Sequence, residues 1–362
     1  MKMYPFIAAI LLGIFLTAVV IPVVDGAELI CEYCKRPITG EYIQVDGKCY
    51  HPEHFLCEKC RKPIGTGQYY KENDKYYCMS CYQTLFAPRC AYCNRPINGE
   101  YIQHDGKSYH KECYDRHVAL RCALCGEIIQ GRYIVDFWGN VYCAKHEGKI
   151  PQCESCGRFI SQQVTNGGFE MADGRHICGI CLRTAVVEFD EASHLLDVVR
   201  GHLDRAGIVI KQEAITLHLV DQRELREVSP SHWPDQLGIA VFEEYEADTY
   251  RLRTFDVYIL SGLPRIKFIA VAAHELMHVW QYLESPRGNN AALCEGSCQY
   301  AASLVLQNYA GKEVEYNLTS IANDPSEMYG EGFRRVRRLI EKKGLGGWLD
   351  VLRTEKNFPA GY

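Results

Sequence analysis

The placement of nineteen cysteines constrains this chain more than any other feature. All but three lie in pairs of the C-x-x-C or H-x-x-C type before residue 182, the exceptions being Cys49, Cys294 and Cys298. Two residues three apart in a tight turn can aim both side chains at one tetrahedral ion, so this spacing reads as zinc. The first run is Cys31, Cys34, His51, His54, Cys57, Cys60, Cys78 and Cys81. It divides into two adjacent four-ligand sites, Cys31, Cys34, His51 and His54 in one and Cys57, Cys60, Cys78 and Cys81 in the other. A disulfide framework is the competing reading. Histidines in ligand positions argue against it, because a disulfide has no use for an imidazole.

Over its whole length that run resembles a LIM domain, with His54 where a cysteine is more usual. A second copy comes next in nearly the same words: Pro37-Ile38-Thr39-Gly40-Glu41-Tyr42-Ile43-Gln44 recurs as Pro96-Ile97-Asn98-Gly99-Glu100-Tyr101-Ile102-Gln103, a duplication. Its sites are Cys90, Cys93, His110 and Cys113, then Cys122, Cys125, Cys143 and His146. Eight residues separate Cys113 from Cys122 where the first copy has two, so the halves of this LIM-like module should pack less rigidly. Cys153, Cys156, Cys178 and Cys181 close the region as a lone zinc ribbon, leaving Cys49, Cys294 and Cys298 outside these sets. Small zinc units owe their folding energy largely to the metal. Tyr42, Tyr69, Tyr101 and Tyr133 are candidate anchors for a protein partner, against the plainer reading that they pack on the zinc knuckles.

With 362 residues and 47% hydrophobic content, the rest of the chain can bury a full core. A formal charge of -5, from 40 basic and 45 acidic residues, gives nucleic acid no reason to bind. Lys2 precedes an apolar run from Tyr4 to Val24, long for a signal peptide and just long enough to span a bilayer. Either role exports the remainder of the chain, so the expected product is secreted or membrane-anchored, with its domains on the outer side.

Past Cys181 the zinc spacing stops and helical periodicity begins. Val186 to Ala206 reads as an amphipathic helix. Ile215 to Val220, Gly238 to Tyr245 and Thr254 to Leu260 read as strands. Pro264 suits the start of a helix carrying Ala273-His274-Glu275-Leu276-Met277-His278, the H-E-x-x-H pattern. Positions four apart share a helix face, so His274 and His278 can serve one zinc ion with Glu275 beside them. Glu295, seventeen residues after His278 on a second expected helix from Ala291 to Leu306, is the candidate third ligand. Three protein ligands leave a fourth position for water, with Glu275 as general base. Tyr329 and His232 are candidates to stabilise the oxyanion, and Thr254 to Leu260 is the strand expected to pair with a substrate peptide. Cys294 and Cys298 read as buried packing residues. Arg334, Arg335, Arg337 and Arg338 read as a solvated helical face. Strands leading into two ligand-bearing helices give the α+β order of a thermolysin-like, gluzincin-type zinc peptidase.

The LIM units, the ribbon ending Asp173-Gly174-Arg175-His176-Ile177-Cys178, Gly262-Leu263-Pro264-Arg265, the H-E-x-x-H, Glu295-Gly296-Ser297-Cys298 and Tyr329-Gly330-Glu331-Gly332-Phe333 together resemble the plant DA-one family. Its members are LIM-containing, ubiquitin-activated zinc peptidases that limit organ growth. The resemblance covers roughly residue 85 onward and implies peptidase activity on protein substrates, with His274, Glu275 and His278 matching the family's active-site motif. No ubiquitin-interacting helix is recognisable before the LIM region, where the export segment stands, so regulation by ubiquitin is not carried over. The expected organisation is a signal or anchor over 1–27, LIM domain 1 over 28–86, a LIM-like domain 2 over 87–148, the zinc ribbon over 149–185 and the peptidase domain over 186–362. This organisation implies one catalytic and about five structural zinc ions, with the LIM units selecting partners or restraining the cleft. The alternative is a LIM adaptor whose peptidase-like domain is inert.

Overall fold

A computed structural model describes residues 7–9, 16–22, 29–66, 68–211, 214–229, 236–247 and 250–362. The chain forms two compact units: one runs to Arg121 and includes Glu127–Arg132, and the other holds Cys122–Gly126 and Tyr133–Tyr362. The two zinc sets of the second LIM module therefore fall in different units.

The first unit repeats one device three times. Glu41–Val45 pairs with Lys48–Tyr50, Gln68–Glu72 with Lys75–Cys78, and Tyr101–His104 with Lys107–Tyr109, all antiparallel. Each hairpin turns on two residues of positive φ, Asp46-Gly47, Asn73-Asp74 and Asp105-Gly106. Such turns match the right-handed twist of the strands and are populated by glycine, asparagine and aspartate. Ile43, Val45, Tyr50, Phe55 and Tyr69 form a small buried cluster. Tyr69 is thus a packing residue, set edge-on to Phe55 at 5.2 Å. Tyr42 and Tyr101 are half-buried, as is Tyr133 in the other unit; the tyrosines that reach solvent are Tyr33 and Tyr92, inside the C-x-x-C knuckles.

Parts of the apolar run expected to export the chain are described as short strands. Ile7–Ala9 pairs with Tyr101–Gln103, Leu16–Thr17 with Gln68–Tyr69, and Val20–Pro22 with Glu41–Ile43. No helix among the described residues is long and apolar enough to cross a membrane.

The second unit begins with two zinc hairpins, Tyr133–Val135 with Val141–Cys143 and Gly168–Glu170 with His176–Cys178. Helix α1 (Phe189–Arg205) comes after them, with Ala192, Leu195, Leu196, Val199 and Leu203 on its buried face. Next come β1 (Ile215–Val220), α2 (Gln222–Val228), β2 (Gly238–Ala247) and β3 (Tyr250–Leu260). Asp221 starts α2 through a reciprocal capping box with Glu224, a signal present in the sequence and not read there. The sheet order is β1-β3-β2, with β3 parallel to β1 and antiparallel to β2. This corrects the expectation that Thr254 to Leu260 receives a peptide: β3 is central and paired on both sides, so the open edge nearest the helices is β2.

Pro264 then caps α3 (Arg265–Glu284), and beyond it lie α4 (Ala291–Leu306), α5 (Lys312–Ala322), a π-helical turn Glu327–Glu331, and α6 (Gly332–Thr354), which is broken at Gly344. One apolar core joins these elements, centred on Phe268, Leu276, Val279 and Trp280 of α3, Phe255 and Val257 of β3, and Trp348 of α6. The Trp348 indole donates to Ser297 Oγ on α4 at 3.1 Å.

The zinc ribbon is continuous with this core. Ala185–Val186 pairs with Leu263–Pro264 immediately before α3. Asp173 and Arg175 form an ion pair at 2.8 Å with side chains 2% and 6% exposed. Arg175 also donates to Ser261 O at 2.8 Å, and the Gln222 N–H at the start of α2 donates to Asp173 at 3.1 Å. Trp138 and Tyr316 of α5 stack at 5.3 Å.

Candidate metal centres and active-site cleft

The five sets read from spacing come together as read: Cys31, Cys34, His51 and His54; Cys57, Cys60, Cys78 and Cys81; Cys90, Cys93, His110 and Cys113; Cys122, Cys125, Cys143 and His146; Cys153, Cys156, Cys178 and Cys181, with the donor atoms of each set within 4.8 Å of one another. Their separations can be checked against a zinc tetrahedron. Bonds of about 2.3 Å to sulfur and about 2.0–2.1 Å to nitrogen put neighbouring ligands about 3.8 Å apart for two sulfurs, about 3.5 Å for sulfur and nitrogen, and about 3.3 Å for two nitrogens. Cys125 and Cys143 are 3.9 Å apart and Cys156 and Cys178 3.7 Å. Cys31 to His54 is 3.6 Å, Cys34 to His51 3.5 Å, and His51 to His54 3.2 Å. Burial opposes ionisation of Cys31, Cys57, Cys90 and Cys122, yet backbone N–H groups aimed at each sulfur outweigh it and bring these thiols down to about 6. The knuckle backbone thus prepares a thiolate for the metal.

Helix α3 is buried nearly all round, as a long apolar segment at the centre of a domain must be. From Lys267 to Tyr282 the positions that reach solvent are Lys267, His274, His278 and Tyr282. Steps of seven, four and four residues keep these on one face, so they form a single solvent-reaching stripe along the helix. The start of β2 lies against this helix: a side chain at Gly238 would meet Val271 Cγ1 at 2.8 Å and Glu275 Oε1 at 3.0 Å. Only a glycine lets the strand approach so closely.

On that stripe His274 Nε2 stands 3.2 Å and His278 Nε2 3.5 Å from Oε2 of Glu295, which α4 brings in from beside α3. The oxygen is buried and accepts no hydrogen bond of good geometry. Three donors therefore converge on a shared point instead of on one another, at the separations of neighbouring zinc ligands. Burial opposes ionisation of Glu295, but the two imidazoles hold its carboxyl far below the usual range. Burial pushes the Glu275 carboxyl up from its ordinary value, while the two imidazoles and the Ala240 N–H of β2 pull it down. This donor set fits a zinc ion with two imidazoles and one carboxylate.

Cys294 and Cys298 do more than fill space. Their sulfurs lie 3.8 and 3.4 Å from His278 Nδ1, behind the ring, and both thiols reach Gln281 Oε1, at 3.0 and 3.5 Å. They fix the ring that faces the cleft, a role that spacing alone did not reveal.

Tyr329 borders the same point, its ring 6.2 Å from that of His274. Burial pushes its phenol up, so the hydroxyl stays protonated and able to donate. Ser326 Oγ caps the turn by accepting from Tyr329 N and Gly330 N, both at 3.2 Å. Arg334 donates to Ala322 O and Asp324 O at 3.2 and 3.0 Å, so it buttresses this turn and is not simply part of a solvated face. Gly296, beside Glu295, touches Gly332 backbone to backbone: an added Cβ would lie 2.2 Å from the Gly332 carbonyl carbon. His232 lies outside the described residues.

A family model for the LIM domain matches residues 31–86 and 90–150, and one for the DA1-like family, described as Protein DA1, matches residues 211–317. LIM domain-containing protein HDR3 of Oryza sativa subsp. japonica is 26% identical over 91% of this chain and 74% of its own length. Protein DA1 of Arabidopsis thaliana is 25% identical over 91% of this chain and 68% of its own. Paxillin-B of Dictyostelium discoideum is 52% identical over 68 residues, which are 19% of this chain and 12% of that protein. LIM matches precede a DA1-like match, and the similarity to DA1 and HDR3 runs along 91% of the chain, so this protein is similar in domain order to the LIM-containing DA1 proteins.

Proposed function

We propose that this protein is a zinc-dependent peptidase acting on protein substrates, with its LIM modules, protein-interaction units like those of Paxillin-B, contributing substrate or partner recognition. One observation carries the reading: His274 Nε2, His278 Nε2 and the orphaned Glu295 Oε2 stand at ligand-to-ligand separations on the solvent-reaching stripe of α3. Zinc held there would polarise a carbonyl and lower the pKa of water. Glu275 sits one residue from His274, and burial raises its carboxyl from the ordinary value; a carboxyl in this place can take a proton from water and return it to the leaving nitrogen. Tyr329 is the donor placed to meet negative charge developing on the substrate oxygen. The open edge of β2 gives an extended peptide backbone partners beside these groups.

The test is Glu275→Gln. It should leave zinc content and folding unchanged and lower cleavage of protein substrates by a factor of 100 or more, about the low end of what general base catalysis contributes. Wild-type protein that carries six zinc ions and cleaves nothing from a proteome-derived peptide library would favour the inert adaptor.

A further inference from the structure

Lys267 is the one member of the cleft stripe that the peptidase reading leaves without a task. It stands seven residues before His274 on the same face of α3, about 10 Å along the helix axis. The positions around it, Phe268, Ile269, Ala270 and Val271, are all buried. Among the described residues no carboxylate pairs with its ammonium, and burial alone pushes that ammonium down from its ordinary value. The other end of the stripe is different. There Glu244 of β2 is satisfied by Arg253 at 3.0 Å and Arg287 at 2.7 Å, and Arg287 lies over the Tyr282 ring. The stripe thus has a neutralised end and an end whose cation meets no carboxylate among the described residues.

The direction of β2 sets the course of a ligand. Its Gly238 end lies at Val271 and Glu275, and its Glu244 lies within 3.5 Å of the Tyr282 hydroxyl, so the strand runs along α3. A chain paired to its open edge also runs along α3. At about 3.3 Å per residue, the 10 Å from His274 to Lys267 is about three residues of extended peptide. We propose that Lys267 is a specificity-determining residue that binds a carboxylate on the ligand peptide, about three residues from the bond held at His274, His278 and Glu295. The carboxylate belongs either to an acidic side chain or to the peptide's own C-terminus. An ammonium that is only partly open to solvent and meets no carboxylate among the described residues gains a partner when such a group arrives, which is what makes the site selective. This rests on the peptidase reading for the position of the scissile bond, but not for the binding of the anion.

The experiment uses the full-length zinc-loaded Glu275→Gln protein and fluorescence anisotropy. One series consists of blocked decapeptides in which a single Asp is moved along the sequence, each with an Asn twin. A second series lacks acidic residues and compares free with amidated C-termini. A charge-assisted hydrogen bond in a cleft corresponds to about tenfold or more in affinity. One Asp register, or the free C-terminus, should bind that much more tightly than its neutral twin. Lys267→Arg should keep the preference, Lys267→Met should erase it, and Lys267→Glu should reverse it toward peptides with lysine at that position. A preference in the first series identifies an acidic side chain, and one in the second a terminal carboxylate. No preference, no binding to any peptide, or a preference that survives Lys267→Met overturns the proposal. Cleavage by wild-type protein is scored separately: if it is absent while the Lys267-dependent preference remains, the peptidase reading fails and the anion site stands.

Discussion

A buried ion pair reinforces the strand-paired joint between the zinc ribbon and the DA1-like domain, and breaking it should show whether the ribbon is part of the folding unit. Asp173 accepts from Arg175 Nε at 2.9 Å and from two backbone N–H groups, of Arg175 at 3.2 Å and Gln222 at 3.1 Å. Arg175 passes the link on to Ser261 O, three residues before the cap of α3. Removing one member of a buried pair strands the other charge, which costs about 3–5 kcal/mol. Asp173→Asn should therefore cost about that much, because Arg175 keeps only the Ser261 carbonyl. Arg175→Met should cost less, because Asp173 retains both backbone donors. The double substitution should fall at least about 1 kcal/mol short of the sum, since neither charge is then stranded. Equilibrium urea unfolding of zinc-loaded protein, monitored by far-ultraviolet circular dichroism, measures all three. The Asp173 carboxyl is buried, which alone would raise it, but Arg175 and the Gln222 N–H hold it below its ordinary value. Its contribution is thus complete above the unfolded pKa of about 3.9 and is lost as pH falls through the lower folded value. The gap between wild type and Asp173→Asn should close below about pH 4. Single substitutions costing under about 1 kcal/mol, or strict additivity, would refute the reasoning. So would a truncation lacking residues 28–185 that folds as stably as the whole.

Gly296→Ala should cost about 1–3 kcal/mol or more by driving α4 from the start of α6, backbone against backbone. Because Glu295 and Tyr329 flank that contact, metal analysis should show one zinc ion lost and the five cysteine-containing sites kept; a full complement would count against the assignment. A bound peptide should protect amides of Gly238–Ala247 from hydrogen exchange and leave those of β3 as they were, since β3 has no open edge. Protection confined to β1 would place the ligand elsewhere. Lys267→Met should be at least as stable as wild type in urea; a loss above about 1 kcal/mol would mean that the ammonium holds the fold and not a ligand.

How far the sequence could be read depends on the range of each interaction. A zinc knuckle is local, so C-x-x-C spacing named all five cysteine sets. One helical turn is also local, and His274 and His278 shared a face as expected. Glu295 was within reach because only six residues separate the end of α3 from the start of α4. Strand order is not local: nothing in Thr254 to Leu260 says that β1, more than thirty residues earlier, will take its other edge. The stripe on α3 was hidden for a related reason. With apolar residues all round the helix, the sequence does not say which face stays open; the neighbouring elements decide that, and with it the place of Lys267. Gly296 and Gly332 are 36 positions apart, and only the packed structure shows that each must lack a side chain for the other.

An inert scaffold and an active site differ in what they can tolerate. Burying an ionisable carboxyl with one backbone donor, as at Glu275, works against folding, and an apolar residue of similar size would fill the same space without that cost. The same holds for the Glu295 oxygen that accepts no well-directed hydrogen bond and for Lys267, which meets no carboxylate among the described residues. A domain of this size has a net stability of only about 5–15 kcal/mol, so three such groups along one cleft are a large concession. On the opposite side of α3, Phe268, Leu276, Val279 and Trp280 are uniformly apolar and fully packed. Unfavourable groups gathered around the solvent-reaching stripe of α3, on that helix and on α4, beside an open strand edge, are hard to explain by folding alone. They make sense if ligand and metal supply the missing partners, which favours the peptidase reading over the adaptor.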